Sequence, residues 1–123
     1  MPSVPQILIV DDDPMIAMLM GNVLREHGFA VLTATSGESA IAIARSAPPD
    51  LVILDKNMPG LPADEVIRAL RADRGREHVP VIILSGERID DTELARLGAN
   101  ASFPKPCAMA ALVARIRILA EPP

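Results

Sequence analysis

Residues 7–14 read Ile7-Leu8-Ile9-Val10-Asp11-Asp12-Asp13-Pro14, and this stretch decides the fold. A continuous apolar run rich in β-branched residues describes a strand buried on both faces, not one alternating between core and water. The acids that follow end the run abruptly. Asp13 has the chemistry of a helix N-cap, and Pro14 suits the first helical position. A strand that passes at once into a helix is the opening half of a β-α unit.

The pattern repeats along the chain. Leu51–Leu54 and Val81–Leu84 are continuous apolar runs of the same kind, Ala30–Ala34 is a fourth strand candidate and Ala101–Pro104 a weaker fifth. Helical periodicity fills the gaps. The first helix presents Ile16, Leu19, Met20, Val23 and Leu24 on one face and stops at Gly28. Others are expected over Ser36–Ser46, Ala63–Ala72, Asp90–Leu97 with Gly98 closing it, and Ala108–Ala120. Strict β-α alternation, five times over, predicts a parallel sheet with right-handed crossovers and helices on both faces. One domain is expected over residues 1–123, with residues 1–5 and 121–123 as proline-bearing tails.

Composition narrows the function. Half of the 123 residues are hydrophobic but only 2% are aromatic, Phe29 and Phe103, so the core must be aliphatic. Two rings and a net charge of −4 argue against base stacking and against tracking a phosphate backbone, so no direct nucleic-acid binding is expected. The lone Cys107 excludes a disulfide framework and a cysteine zinc cluster, and His27 and His78 are too few for a three-histidine metal site. No run approaches the roughly 18 apolar residues of a membrane span, and no leader pattern precedes Ile7, so a soluble cytoplasmic protein is expected.

In an open α/β sheet, ligands bind beyond the carboxyl ends of the strands, where strand order reverses. Asp11, Asp12 and Asp13 follow the first strand, Asp55 the third, Ser85 and Gly86 the fourth, and Lys105 the fifth. With strand order 2-1-3-4-5 the reversal lies between strands 1 and 3, which sets the acids beside Asp55. Crowded carboxylates are tolerable around a hard cation, and one or two of them plus waters suit Mg²⁺. A lysine and a hydroxyl beside such a cation are the equipment for holding a phosphoryl group, with one carboxylate as nucleophile.

Five motifs in order carry a family resemblance: Ile9-Val10-Asp11-Asp12-Asp13-Pro14, Leu54-Asp55-Lys56-Asn57-Met58-Pro59-Gly60, Ile83-Leu84-Ser85-Gly86, Gly98-Ala99 and Pro104-Lys105-Pro106. Through them the chain resembles a response-regulator receiver domain of two-component signalling, over nearly its whole length. The resemblance implies the flavodoxin-like, doubly wound five-stranded sheet with five helices, including the order 2-1-3-4-5. It also implies the roles. Asp55 is the expected phosphoacceptor. Asp12 is the expected direct Mg²⁺ ligand and Asp11 acts through water, with Asp55 and the backbone carbonyl of Asn57 completing the protein ligands. Ser85 takes the hydroxyl position and Lys105 the lysine that pairs with the phosphoryl group, next to a bond to Pro106 that is commonly cis in the family. The implied donor is a phosphohistidine on a histidine kinase or histidine phosphotransferase. Phosphorylation would draw Ser85 inward and shift the face made by the fourth helix, fifth strand and fifth helix.

Two positions depart from the family pattern. Ser102 stands three residues before the lysine, where an aromatic switch residue is usual, and Phe103, one residue on, should point to the opposite face into the core. The stretch from Ser85 to Gly98 is also short, so an atypical output surface is expected. Blander readings hold elsewhere: Asp13 as a cap, Met15, Met18 and Met20 as packing, Cys107 as an inert thiol starting the last helix, and Lys56 as exposed. Two rival functions remain. One is a receiver-like docking module that does not cycle phosphate. The other is a haloacid-dehalogenase-type phosphatase, whose late acidic pair is missing because only Glu121 follows Lys105. No effector segment fits within the chain, so output lies either in protein contacts or in a longer protein.

Overall fold

The computed structural model describes residues 4–120. Its elements are β1 (Gln6–Val10), α1 (Pro14–Glu26), β2 (Ala30–Ala34), α2 (Gly37–Ser46), β3 (Leu51–Asp55), α3 (Ala63–Leu70), β4 (Val81–Ser85), α4 (Asp91–Leu97), β5 (Ala101–Pro104) and α5 (Met109–Ala120). The strands form one sheet in the order β2-β1-β3-β4-β5, every neighbour parallel. This is the expected doubly wound arrangement. The expected tails lie mostly outside the described residues, but Pro5 belongs to the fold, because its carbonyl accepts a hydrogen bond from Ala30 N at 3.0 Å.

The continuous apolar runs behave as their composition requires. Every residue of β3 and β4 is buried. Successive side chains of a strand point to opposite faces, so each run feeds two cores. Ile7, Ile9, Ile53 and Leu84 join residues of α1 and α5 in one layer. Leu8, Val10, Leu54 and Ile83 join residues of α2, α3 and α4 in the other. At roughly 1.5–3 kcal/mol for each fully buried aliphatic side chain, these two layers supply the stability that aromatic residues cannot.

Local signals set the helix ends. The Asp13 side chain accepts from Met15 N at 3.0 Å and from Ile16 N at 3.4 Å, the expected N-cap. Ser36 and Ser39 form a reciprocal capping box that starts α2. Gly28 and Gly98 adopt φ of 93° and 81° just beyond α1 and α4, a conformation costly for any residue with a Cβ.

Some expectations need correction. The face of α1 is turned from the one expected: Ala17, Met20, Gly21 and Leu24 are buried, whereas Leu19 is 56% exposed. Met15 and Met18 are exposed as well, so of the three early methionines only Met20 packs in the core. The first half of α1 is apolar nearly all round, which leaves the period without a unique phase. Phe103 does join the α1/α5 layer, but it is only partly buried because β5 is the sheet edge, and Arg115 stacks 5.9 Å from its ring centre. Cys107 precedes α5 by two residues instead of starting it; burial pushes its thiol pKa up, in keeping with an unreactive group.

One polar cluster locks the amino-terminal edge of β4. The Arg71 guanidinium donates to Val79 O, to Asn100 Oδ1 at 3.0 Å and to Gly98 O, while Asn100 Oδ1 also accepts from Val81 N at 2.9 Å. These bonds tie the segment after α3 to the turn between α4 and β5. Arg71→Met leaves those oxygens without their charged donor. It is expected to lower stability by about 2 kcal/mol, the scale of hydrogen bonds to a charged group. A urea midpoint equal to wild type would contradict this.

Candidate functional site

The strands deliver their polar residues to the carboxyl edge of the sheet. Asp11 sits just beyond β1, held by Asp11 N donating to Ala34 O at 3.0 Å. Asp55 and Ser85 are the last residues of β3 and β4, not the first of their loops as the apolar runs alone implied. The hydrogen-bond ladder continues past both, through Lys56 N to Leu84 O at 2.9 Å and Lys105 N to Ser85 O at 2.8 Å. Backbone pairing therefore fixes where each functional side chain begins.

Carboxylate oxygens of Asp11, Asp12 and Asp55 all lie within 4.8 Å of one another. Asp11 and Asp55 are 1% and 3% exposed, while Asp12 is open to solvent. At such spacing each pair of charges repels by at least about 3 kcal/mol at an effective dielectric of about 20. Lys105 offsets part of this: its Nζ donates to Asp55 Oδ2 at 2.8 Å and lies 3.1 Å from Asp11 Oδ2. Burial alone would lower the lysine pKa. The hydrogen bond to Asp55 and the negative charges of Asp55 and Asp11 outweigh it and hold Lys105 above the ordinary lysine value.

Backbone donors orient the same acids. Asp13 N donates to Asp11 Oδ1 at 2.9 Å, and Asn57 N donates to Asp55 Oδ1 at 3.1 Å. Asp11 Oδ2 is different. It is buried, and its approach to Lys105 is too oblique for a hydrogen bond, so it has no aligned donor among the described residues. A buried, under-satisfied carboxylate oxygen beside two further acids is an all-oxygen donor set, the kind a hard divalent cation takes.

The site opens into a cleft of about 950 Å³ lined by Asp12, Asp13, Asp55, Asn57, Gly86 and Lys105 among others. Of the expected site residues, Asp11, Asp12, Asp55 and Lys105 come together, and Asn57 lines the cleft beside them. Ser85 is buried one strand away, where its Oγ accepts from Glu87 N at 3.1 Å. Asp13 lines the cleft but spends its carboxylate on the α1 cap. The Lys105–Pro106 peptide is cis.

One nearby residue escaped the sequence reading. Lys56 is not an exposed lysine. Its side chain is 26% exposed and its Nζ lies 3.8 Å from Glu93 Oε1 on α4. Nothing local in the sequence joins two residues so far apart, and only the folded chain pairs them.

Known proteins agree with this geometry. The family model described as the response regulator receiver domain matches residues 7–117. The DNA-binding response regulator MtrA of Mycolicibacterium smegmatis is 39% identical over 114 residues, covering 91% of this chain and 49% of its own length. The transcriptional regulatory protein PrrA of Mycobacterium leprae is 40% identical over 119 residues, covering 95% of this chain and 50% of its own length. The chain thus spans about half the length of these curated relatives. Among solved structures, the chemotaxis protein CheY4 of Vibrio cholerae superposes with a TM-score of 0.88 at 28% identity, covering 95% of this chain and 99% of its own. A putative response regulator from Chloroflexus aurantiacus gives 0.88 at 29% identity, covering 98% and 100%. Nothing among these matches favours the haloacid-dehalogenase-type phosphatase, which is set aside. With this sheet order, these motifs and this family match over nearly its whole length, the chain belongs to the response regulator receiver domains of two-component systems.

Proposed function

We propose that this receiver domain is a phosphoacceptor that takes its phosphoryl group onto Asp55. The observation that carries this is the buried Asp55 carboxylate held by Lys105 at the mouth of an acidic cleft. An Asp55 oxygen attacks the phosphorus of a phosphohistidine on a histidine kinase or histidine phosphotransferase. The P–N bond breaks and the imidazole leaves with the electron pair. Lys105, already within reach of Asp55 Oδ2, keeps its charge and moves to a phosphoryl oxygen. The Ser85 oxygen accepts from Glu87 N, which leaves its O–H to donate to the same group. Water later cleaves the acyl phosphate to release inorganic phosphate and restore the carboxylate. The chemistry is confined to this loading and self-hydrolysis, so the domain is a switch and not a turnover enzyme.

Asp12, Asp55 and the Asn57 backbone carbonyl would hold Mg²⁺ directly and Asp11 through water, a reading supported by the grouped carboxylates of Asp11, Asp12 and Asp55. When bound, Mg²⁺ neutralises charge on the phosphoryl oxygens. The domain is proposed to occupy residues 1–123 and to act in the cytoplasm. Among the described residues no helix is long and apolar enough to cross a membrane. The name of the relative MtrA speaks of DNA binding, and any such role would belong to segments other than this acidic chain.

Incubation with acetyl phosphate and Mg²⁺ tests the reading by intact mass. Gain of one phosphoryl group is expected, with none in Asp55→Asn or with excess EDTA. No gain in wild type would favour a docking module that does not cycle phosphate. A gain that survives Asp55→Asn would move the acceptor elsewhere.

A further inference from the structure

The receiver family's usual ring is absent at Ser102, so a hydroxyl–ring relay from Ser85 is not available to this chain. The helix it would address, α4, is lightly held. It has seven residues, and Leu97 at its carboxyl end is its one buried residue. That end is fastened by the Arg71 bond to Gly98 O. Its first turns are fastened differently. Glu93 N is capped by Asp90 Oδ1 at 2.8 Å, the Glu93 carboxylate takes a two-pronged contact from Arg96, and Glu93 Oε1 faces Lys56 Nζ at 3.8 Å. Among the described residues, Lys56–Glu93 is the ion pair joining α4 to the loop after β3.

Lys56 is the residue next to Asp55, and it faces the other way. Leu51 and Ile53 belong to the α1/α5 layer and Val52 and Leu54 to the α2/α3/α4 layer. Continuing that alternation, Asp55 opens on the cleft beside α1 and Lys56 on α4. We propose that the Lys56–Glu93 pair is a latch that holds the first turns of α4 in the unphosphorylated state, and that a phosphoryl group on Asp55 releases it. This rests on Asp55 being the phosphoacceptor. A phosphoryl group carries close to two negative charges where the Asp55 carboxylate carried one, so the residue bonded to Lys56 gains about one. The two side chains face opposite ways, so the added charge acts through its field at the edge of the sheet, weakening the hold of the ammonium on Glu93, which Arg96 keeps on its own helix. The latch substitutes a charge pair for the missing ring.

Backbone amide hydrogen exchange over Asp91–Leu97 tests this in wild type, Lys56→Gln and Lys56→Arg, each free and with Mg²⁺ and beryllofluoride, a phosphoryl mimic. A partly exposed ion pair of ordinary strength shifts a two-state helix by roughly two- to fivefold. Exchange in wild-type α4 is expected to rise by that factor on beryllofluoride. Free Lys56→Gln should already exchange at the raised level and change little further, while Lys56→Arg behaves as wild type. Wild-type exchange in free Lys56→Gln overturns the latch. So does a Lys56→Arg protein that behaves like Lys56→Gln, since shape and not charge would then matter. Amide NMR shifts of Asn57, Gly86 and Glu87 report separately on Asp55. If they stay silent in wild type, the phosphoacceptor reading itself fails and the latch falls with it.

Discussion

Lys105→Met should unfold at a distinctly lower urea concentration than wild type in EDTA, having lost about 2–3 kcal/mol. Breaking a fully buried ion pair costs roughly 3–5 kcal/mol, because the abandoned charge stays buried. Here the two carboxylates are 1% and 3% exposed, but the lysine side chain is 26% exposed, so the expected loss falls below that range. The mixed cost and benefit of Lys105 also sets a pH signature. Burial opposes its charge, the Asp55 and Asp11 contacts outweigh burial, and its folded pKa lies above the free value. A group raised in this way contributes its full stability below the ordinary lysine pKa and loses it as pH rises through the folded value. The gap between wild type and Lys105→Met is therefore expected to be widest near neutral pH and to close in the alkaline range. Millimolar Mg²⁺ should stabilise the variant more than wild type, because no ammonium competes for Asp11 and Asp55. Far-UV circular dichroism is the suitable probe, since the chain has no Trp or Tyr. Equal midpoints in EDTA would mean that Lys105 is not structurally coupled to the acids.

Ile53→Ala is expected to cost about 3–5 kcal/mol, the range for removing a fully buried branched side chain where the surroundings cannot collapse. Ile53 is 0% exposed at the centre of the sheet, paired in register with Ile9 on β1 and Ile82 on β4. Against a typical total of about 5–15 kcal/mol, such a loss leaves little margin at 37 °C. Leu19→Ala is the contrast, with a change within about 0.5 kcal/mol because that residue faces solvent. A large loss at Leu19 would restore the helix face that periodicity alone indicated for α1.

The strands were readable because each is buried on both sides, and a short, continuous β-branched run between turn residues fits little but a strand covered on two faces. The helices were readable wherever a polar residue interrupted the apolar stripe, as in α3 and α5. The first half of α1 has too few such interruptions, so its phase had to come from packing against β2. Strand ends were read one residue short at Asp55 and Ser85, since hydrophobicity stops there while backbone pairing does not. Asp11, Asp12, Asp55 and Lys105 were recoverable because topology sends every strand's carboxyl end to one edge. Lys56 was not. A lysine that meets a glutamate only after a crossover and another strand leaves no periodic trace.

The alternation of β3 between two cores has a consequence for how such a domain can vary. Asp55 and Lys56 are consecutive, yet one addresses the α1 cleft and the other α4. On the proposed reading the sheet acts as a partition, with chemistry handled on one side and the signal issued on the other. Substitutions on the α2/α3/α4 side can retune the output while leaving the loading cleft intact, and the reverse. The tolerance ends at insertion. One extra residue within β3 would exchange the two compartments, aim a lysine into the acidic cleft and aim Asp55 at α4. Loop lengths elsewhere can drift, but the count along this strand is a fixed address.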